Sequence, residues 1–358
     1  MFYDFNGNPL QRAYDFHGNL IADSTEVLIL SAVDDAESRL SATNGTRIAY
    51  MTDAHLSGTG QLMQMKNTVD SSYSVSALNE ICKRGLVDAV VIGGDMINAY
   101  AKIPSGTYPS TKNDAKARMR QFINMIDAHG IPIYFVKGNH DLNAKYDEVM
   151  GYADYPNRIN DEDWQELTEQ YETNAVFNPS DKAGYFYVDL SNDVRLAIWN
   201  QYTGNTIDTS GSDGNGTSNV EKNWFRDVVF DNSKTVISIW HNPEYWATYQ
   251  GMYPRYFADG GRYDGKQWEG GGKTFCINSH THADNLGYLF DGTMFQNVPN
   301  FNVRNSYAVT ASTATNQHID EGLEKICVSI FTIGENHVWE TRVGNGTDRE
   351  SDFCTVTA

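Results

Sequence analysis

Five short segments of the 358-residue chain carry side chains that hold metal ions through nitrogen and oxygen. They are Asp53-Ala54-His55, Gly94-Asp95, Gly138-Asn139-His140-Asp141, His241 and His280-Thr281-His282. Imidazole, carboxylate and amide oxygen without a thiolate suit Zn, Mn, Fe, Co or Ni, and disfavour iron–sulfur clusters and structural zinc. Two such ions roughly 3.5–4 Å apart need a bridging carboxylate, and together they can clamp a phosphoryl group and deprotonate a bound water. Five of the nine histidines (His55, His140, His241, His280 and His282) fall in these segments. His17, His129, His318 and His337 do not, and are read as structural or surface groups.

Each segment directly follows a run that reads as a buried strand. Ligand sites in α/β sheets lie beyond the carboxyl ends of the strands. Strands ending near residues 52, 92, 136, 240 and 278 would therefore bring all five segments to one rim. Strands are expected over 47–52, 89–92, 131–136, 235–240 and 274–277. Residues 89–92 are a continuous apolar run, as in a strand buried on both faces. Helices are expected over 34–42, over 74–84 with Gly85 as C-cap, and over 114–129 ending at Gly130. The third carries Met119, Phe122, Ile123 and Ile126 on one stripe. Further helices are expected over 161–171 and 223–229. Hairpins are expected over 185–200 across Ser191-Asn192-Asp193 and over 325–343 across Gly334-Glu335-Asn336. The strand–helix–strand alternation predicts an α/β fold. Without a Pro- or Gly/Ser-rich linker between two cores, one domain with insertions is expected.

Residues 1–46 read as an N-terminal arm. Tyr3-Asp4-Phe5-Asn6-Gly7-Asn8-Pro9-Leu10 recurs as Tyr14-Asp15-Phe16-His17-Gly18-Asn19-Leu20-Ile21. The repeat suggests short hairpin-like units, and residues 1–21 are a possible attachment to an assembly partner. Residues 203–219 read as a mobile loop rich in Gly, Ser, Thr and Asn, and 344–358 as a C-terminal tail.

The net charge of −19 opposes high-affinity binding of duplex nucleic acid. A small phosphorylated substrate stays compatible with it, because bound cations reverse the field locally. No apolar run is long enough to span a bilayer. The first residues lack a basic n-region and an apolar h-region, so a cytoplasmic location is expected. Cys82, Cys276, Cys327 and Cys354 show no zinc spacing and read as core thiols.

Taken in order, DAH at 53–55, GGD at 93–95, GNHD at 138–141, His241 and SHTH at 279–282 resemble the calcineurin-like metallophosphoesterases over roughly residues 47–343. The resemblance implies a sandwich of two mixed β-sheets flanked by helices, with a dinuclear centre at the C-terminal rim of the strands. It implies that Asp53, His55 and His282 bind a first ion and Asn139, His241 and His280 a second, with Asp95 bridging. Mn, Fe, Zn, Ni or Co would fit. His140 would stand beside the leaving group, Asp141 would orient it, and a metal-bridging hydroxide would be the nucleophile. Two positions depart from the family pattern. Ser279 replaces the usual glycine, and Asn98 stands where many members carry an aspartate.

The stretch from 245 to 268 lies between two ligand segments and alternates aromatic residues with glycine. Tyr245, Trp246, Arg255 and Arg262 are candidate substrate contacts in a lid that stacks a base or sugar. Packing of a long loop onto the core explains the same residues equally well. A phosphodiesterase or nucleotide phosphatase is favoured over a protein phosphatase, because the motif is GNHD and is preceded by Lys137 rather than Arg. A catalytically weak metal-binding scaffold and a nuclease are the alternatives.

Overall fold

The computed structural model describes residues 12–14, 20–56, 69–97, 111–144, 147, 154–181, 183–202, 218–229, 233–242, 273–282, 284–289, 298–304, 308–309, 326–344 and 346–355. Strands of the two main sheets are numbered along the chain. Sheet A contains β1 (Thr46–Met51), β2 (Ala89–Ile92), β3 (Ile133–Phe135), β11 (Cys327–Ile333), β12 (His337–Gly344) and β13 (Arg349–Asp352). Their order is β13-β12-β11-β1-β2-β3. Sheet B contains β4 (Val176–Phe177), β5 (Phe186–Asp189), β6 (Val194–Ile198), β7 (Thr235–Ile239), β8 (Lys273–Asn278), β9 (Asn285–Leu289) and β10 (Val298–Asn302). Its order is β9-β10-β8-β7-β6-β5-β4, and β14 (Cys354–Thr355) pairs with β8. Both sheets mix parallel and antiparallel pairs, as the α/β expectation and the resemblance require.

Alternation along the strands builds three apolar layers. In sheet A, Ala49, Met51, Val90, Ile92, Ile133 and Phe135 face the helices. Their neighbours Ile48, Tyr50, Ala89, Val91, Tyr134 and Val136 face sheet B. Sheet B answers with Leu196, Ile198, Ile237, Ile239, Phe275 and Ile277. Its outer face buries Trp199, Trp240 and Cys276 under Phe225 and Val229. Period-two side chains on strands buried on both faces give continuous apolar runs. The helices on sheet A are α1 (Ser24–Leu40), α2 (Ser72–Lys83), α3 (Lys112–Asn124) and α4 (Asp161–Thr168). On sheet B, α5 (Asn219–Trp224) runs into a π-turn over Phe225–Val229.

Most expected elements appear, with informative shifts. Helix α1 begins ten residues earlier than its expected start at 34. Its buried stripe Ile29, Ala32, Val33, Ala36 and Leu40 has helical spacing. The run 27–30 alone cannot be told from a strand by periodicity. Helix α3 stops at Asn124 rather than near 129. The Asn79 side chain of α2 donates to Met125 O and accepts from Asp127 N, which pulls the chain out of helical geometry. Gly85 ends α2 at φ 64° with the paired bonds Gly85 N to Cys82 O and Leu86 N to Ile81 O. Both expected hairpins are antiparallel pairs. Residues 349–355 add β13 to sheet A and β14 to sheet B, with Phe353 stacked on Phe275 between them. Arg12–Tyr14 pairs with Leu20–Asp23 across the second copy of the N-terminal repeat. The loop at 203–217 lies outside the described residues. Among the described residues no helix is long and apolar enough to cross a membrane.

Register places the rim. Met51 lies beside Ile92, and Ile92 beside Phe135. In sheet B, Ile198, Ile239 and Ile277 form the matching row. Chain leaving these strands therefore emerges at one level in each sheet.

Candidate metal centre

The first two loops continue the sheet for a few residues past the last ladder bond. Asp53 N donates to Gly94 O at 3.0 Å, His55 N to Asp95 O at 2.9 Å and Leu56 N to Met96 O at 2.8 Å. To turn their side chains towards the cleft, Asp53, His55, Asp95, His280 and His282 adopt left-handed backbone with φ between 49° and 67°. Such a residue costs about 1–3 kcal/mol unless its surroundings hold it there. Two glycines permit the close approach. A Cβ on Gly93 would lie 2.0 Å from Tyr50 Oη, and one on Gly138 would lie 2.2 Å from Asp95 Oδ1.

All seven candidate ligands converge. His282 Nε2 is 3.2 Å from Asp53 Oδ1 and 3.2 Å from His55 Nε2. His241 Nε2 is 3.1 Å from Asp95 Oδ2 and 3.1 Å from Asn139 Oδ1, and His280 Nδ1 is 3.0 Å from that same amide oxygen. The candidate ligands form two triads, Asp53-His55-His282 and Asp95-His241-His280, and a third group joins His55 and Asp95 to His140, each with ligand atoms within 4.8 Å of one another. Asp95 Oδ2 also lies 3.8 Å from His55 Nε2, so this one oxygen stands between the two sets. Asp53 Oδ1 and Asp95 Oδ2 are buried without a geometrically sound hydrogen bond. Their sister oxygens are occupied. Asp53 Oδ2 accepts from Thr52 Oγ1 and His280 N, and Asp95 Oδ1 from His140 N. Buried carboxylate oxygens facing imidazole nitrogens fit cations, with oxygen and nitrogen ligands appropriate to first-row metals.

Electrostatics agree with that fit. Burial alone would raise the Asp53 and Asp95 carboxyls. For both, His241 leads the neighbouring imidazoles that reverse this and hold them well below the usual carboxylate range. Burial alone would lower His241, yet Asp95 and Asp53 push it up to about 10. His140 is pushed down to about 3 by burial, with His55, His280 and His282 reinforcing and Asp95 opposing. It is neutral near pH 7. Its side chain is 17% exposed, with Nε2 3.9 Å from Asp95 Oδ2.

A family model described as calcineurin-like phosphoesterase matches residues 46–284, a span that contains every one of these ligands. The chain belongs to the calcineurin-like phosphoesterases. It is accordingly a metal-dependent phosphoester hydrolase of the dinuclear type. No curated protein matches the chain by sequence. Among solved structures, it is similar in fold to a dimetal phosphatase from Danio rerio, with 10% identity and a TM-score of 0.55. That match covers 87% of this chain and 100% of the other. It is also similar to a structure titled PhoD, with 10% identity, a TM-score of 0.51, and coverage of 87% and 69%.

Within this calcineurin-like centre Asp141, which the resemblance expects to orient His140, bonds to backbone. Its Oδ2 accepts from Asp95 N and Gly138 N, each at 2.9 Å, and its Oδ1 from Met96 N at 2.9 Å and Ile97 N at 3.3 Å. The carboxylate ties the backbone of the bridging-ligand loop to that of the GNHD loop, and no oxygen is left for an imidazole. Burial and the Asp95 charge push the Asp141 carboxyl up to about 7, with the N–H donors pulling against them. Lys137 is buried and ion-paired with Asp161 at 3.0 Å, with Trp164 beside it. His129 and His337 are remote from the ligands, His337 being held by Asp352 and Glu350. Cys82, Cys276 and Cys327 are buried thiols outside any disulfide. Asn98, Tyr245, Trp246, Arg255 and Arg262 lie outside the described residues.

Sequence reading missed the residues behind the ligands. Ser279 is buried and touches Tyr50, Gly93 and His241. Gln201 pairs with the backbone of Asn242, accepting from its N at 2.7 Å and donating to its O at 2.9 Å. These bonds fix the turn after His241. Backbone partners leave no side-chain signature in a sequence, although the serine in place of glycine was visible.

Proposed function

We propose that this phosphoesterase hydrolyses a small phosphodiester or nucleotide, with the diester favoured. The carrying observation is the single Asp95 Oδ2 set between two imidazole-rich triads. A bound ion pair would neutralise phosphoryl oxygens and lower the pKa of a water. The chain's own part is positional. Asp53 and Asp95 each commit one oxygen to the protein and present the other to the cleft. Asn139 is gripped between His241 and His280. Neutral His140 can offer an N–H to the leaving oxygen without adding a full charge.

Lys137 supports the diester side of the proposal. It precedes GNHD but is spent on Asp161, so it offers no cation to a doubly charged monoester. The fold neighbour described as a dimetal phosphatase keeps a phosphatase in play beside the diesterase. The acidic chain argues against long polyanions.

The test uses protein stripped of metal and reloaded with Mn, Ni, Co or Zn. Rates on bis(p-nitrophenyl) phosphate and p-nitrophenyl phosphate are compared at saturating metal. The expected result is about two ions per chain, the count a bridged site requires, and a higher kcat/KM on the diester. Preference for the monoester would overturn the diester reading. Full metal loading without turnover on either would point to a scaffold.

A further inference from the structure

We propose that Ser279 and Tyr50 form a positioning device for the ion held by Asp95, His241 and His280, built on one of the two residues that depart from the motif pattern the sequence resembles. Ser279 follows β8 and is fully buried. Its Oγ lies 3.0 Å from Gly93 O, 3.1 Å from His241 Nδ1, 3.2 Å from Tyr50 Oη and 3.4 Å from His241 O. One hydroxyl thus touches groups from β1 and from the loops after β2 and β7. It links the two sheets directly behind Asp95-His241-His280.

The hydrogen-bond count fixes the directions. A hydroxyl has one donor and two acceptor lone pairs. Gly93 O can only accept, so the Ser279 hydroxyl donates to it. Tyr50 Oη donates to Ser279 Oγ. To present Nε2 to a cation, His241 must carry its proton on Nδ1. That N–H points at Gly93 O, 2.8 Å away, and at Ser279 Oγ. Every donor has an acceptor in this arrangement. With the proton on Nε2 instead, Gly93 O would face a bare ring nitrogen. Gly93 O therefore selects the ligating tautomer, and the serine adds the second acceptor that fixes the ring plane. Ser279 N also donates to His241 O at 2.9 Å, and the next residue is the ligand His280. No bond of Ser279 reaches Asp53, His55 or His282, so its effect falls on one ion of the two. A glycine at 279 keeps the backbone bond and Gly93 O, but loses the second acceptor for Nδ1 and one partner of the buried Tyr50 hydroxyl.

The inference rests on the dinuclear reading of the site. Its test reads metal binding without turnover, so its failure is separable from failure of the phosphodiesterase proposal. Metal-free parent, Ser279→Gly and Tyr50→Phe are titrated with Co(II), and the visible absorption is followed through both equivalents. In Ser279→Gly one of the two equivalents should bind about tenfold more weakly, the lower end of the usual 10–100-fold effect of an imidazole's outer partner, because Gly93 O remains. The other equivalent should stay within about twofold of the parent on the same argument. Tyr50→Phe should weaken that same equivalent by less. It also carries the test if Ser279→Gly fails to fold. Both equivalents unchanged in Ser279→Gly, or in Tyr50→Phe where that variant carries the test, overturn the proposal. So does equal weakening of both equivalents, which would mark Ser279 as a packing residue.

Discussion

Asp141→Asn separates a backbone clamp from an orienting catalytic group. The carboxylate takes four buried backbone N–H groups, two on each oxygen. Asparagine keeps one acceptor oxygen and turns an NH2 towards the other pair. The amide should face Met96 N and Ile97 N, because the Ile97 bond, at 3.3 Å, is the longest of the four. Two buried donors then lose their acceptor. At about 1–3 kcal/mol for each buried group left unsatisfied, the loss is about 2–6 kcal/mol. A domain of ordinary stability has about 5–15 kcal/mol in all, so the effect is readily measured. Urea unfolding of the metal-free protein, followed by tryptophan fluorescence at pH 8, is the assay. That pH keeps the parent Asp141 carboxyl, pushed up to about 7, largely ionised. The midpoint should fall with an unchanged slope. An Asp141→Asn protein as stable as the parent but slow in turnover would refute the clamp and restore the orienting role.

Two further variants test the centre and one tests the fold. Asp95→Asn should lose both ions by elemental analysis. His140→Ala should keep both and lose about 10²–10⁴-fold in kcat, as expected for a proton-handling group; equal turnover on a substrate with a poor leaving group would exclude that role. Glu172 is buried at the free edge of β3, accepting from Phe135 N and Thr168 Oγ1. Burial pushes it up to about 8, against those two bonds. A carboxyl raised on folding favours the protonated native state. Its contribution is therefore complete below the ordinary glutamate value near 4.5 and is lost as pH rises through 8. The parent should become less stable between pH 5 and 8.5 by a few kcal/mol, at about 1.4 kcal/mol per pH unit. Glu172→Gln should flatten that slope, and an identical pH profile would rule Glu172 out as its source.

The ligands were legible because each follows a mostly apolar run, although Ser238 interrupts β7 and β8 opens with Lys273 and Thr274. Ala89-Val90-Val91-Ile92 before Gly94-Asp95 is the clearest case, and β2 spans those residues. The elements that escaped notice lack that signal. Strand β10 contains Asn and Pro (VPNFN), and β13 reads RESD. Each is a strand only because a neighbouring edge supplies backbone partners. The bonding roles of Asp141 and Ser279 escaped for a related reason. Asp141 bonds only to backbone and Ser279 mostly to carbonyls and a ring nitrogen, so their roles depend on loops that are distant in sequence. A serine or aspartate beside a ligand looks the same whether it touches substrate or peptide groups.

The backbone of the ligand loops explains why such hidden partners are needed. Five of the seven ligands have positive φ, which non-glycine residues adopt only under constraint. At about 1–3 kcal/mol each, the strain rivals the whole stability of a domain. It is offset at least in part by bonds that the ligand loops make without any ion. Those bonds are present. Asp53 and His55 donate their N–H groups to the Gly94-Asp95 loop, Asp141 ties that loop to the next, and Ser279 ties the loop after β8 to His241. The burden is uneven. Asp95 bridges both triads, and its backbone N–H is held by Asp141. His280, on the sheet B side, is supported by Ser279, which precedes it and bonds to His241, and by the bond from its own N to Asp53 Oδ2. Loosening the Asp141 clamp should therefore affect both ions, whereas loosening Ser279 should affect one. The order in which the two ions are lost from the two variants reads out how the fold divides its support between the sheets.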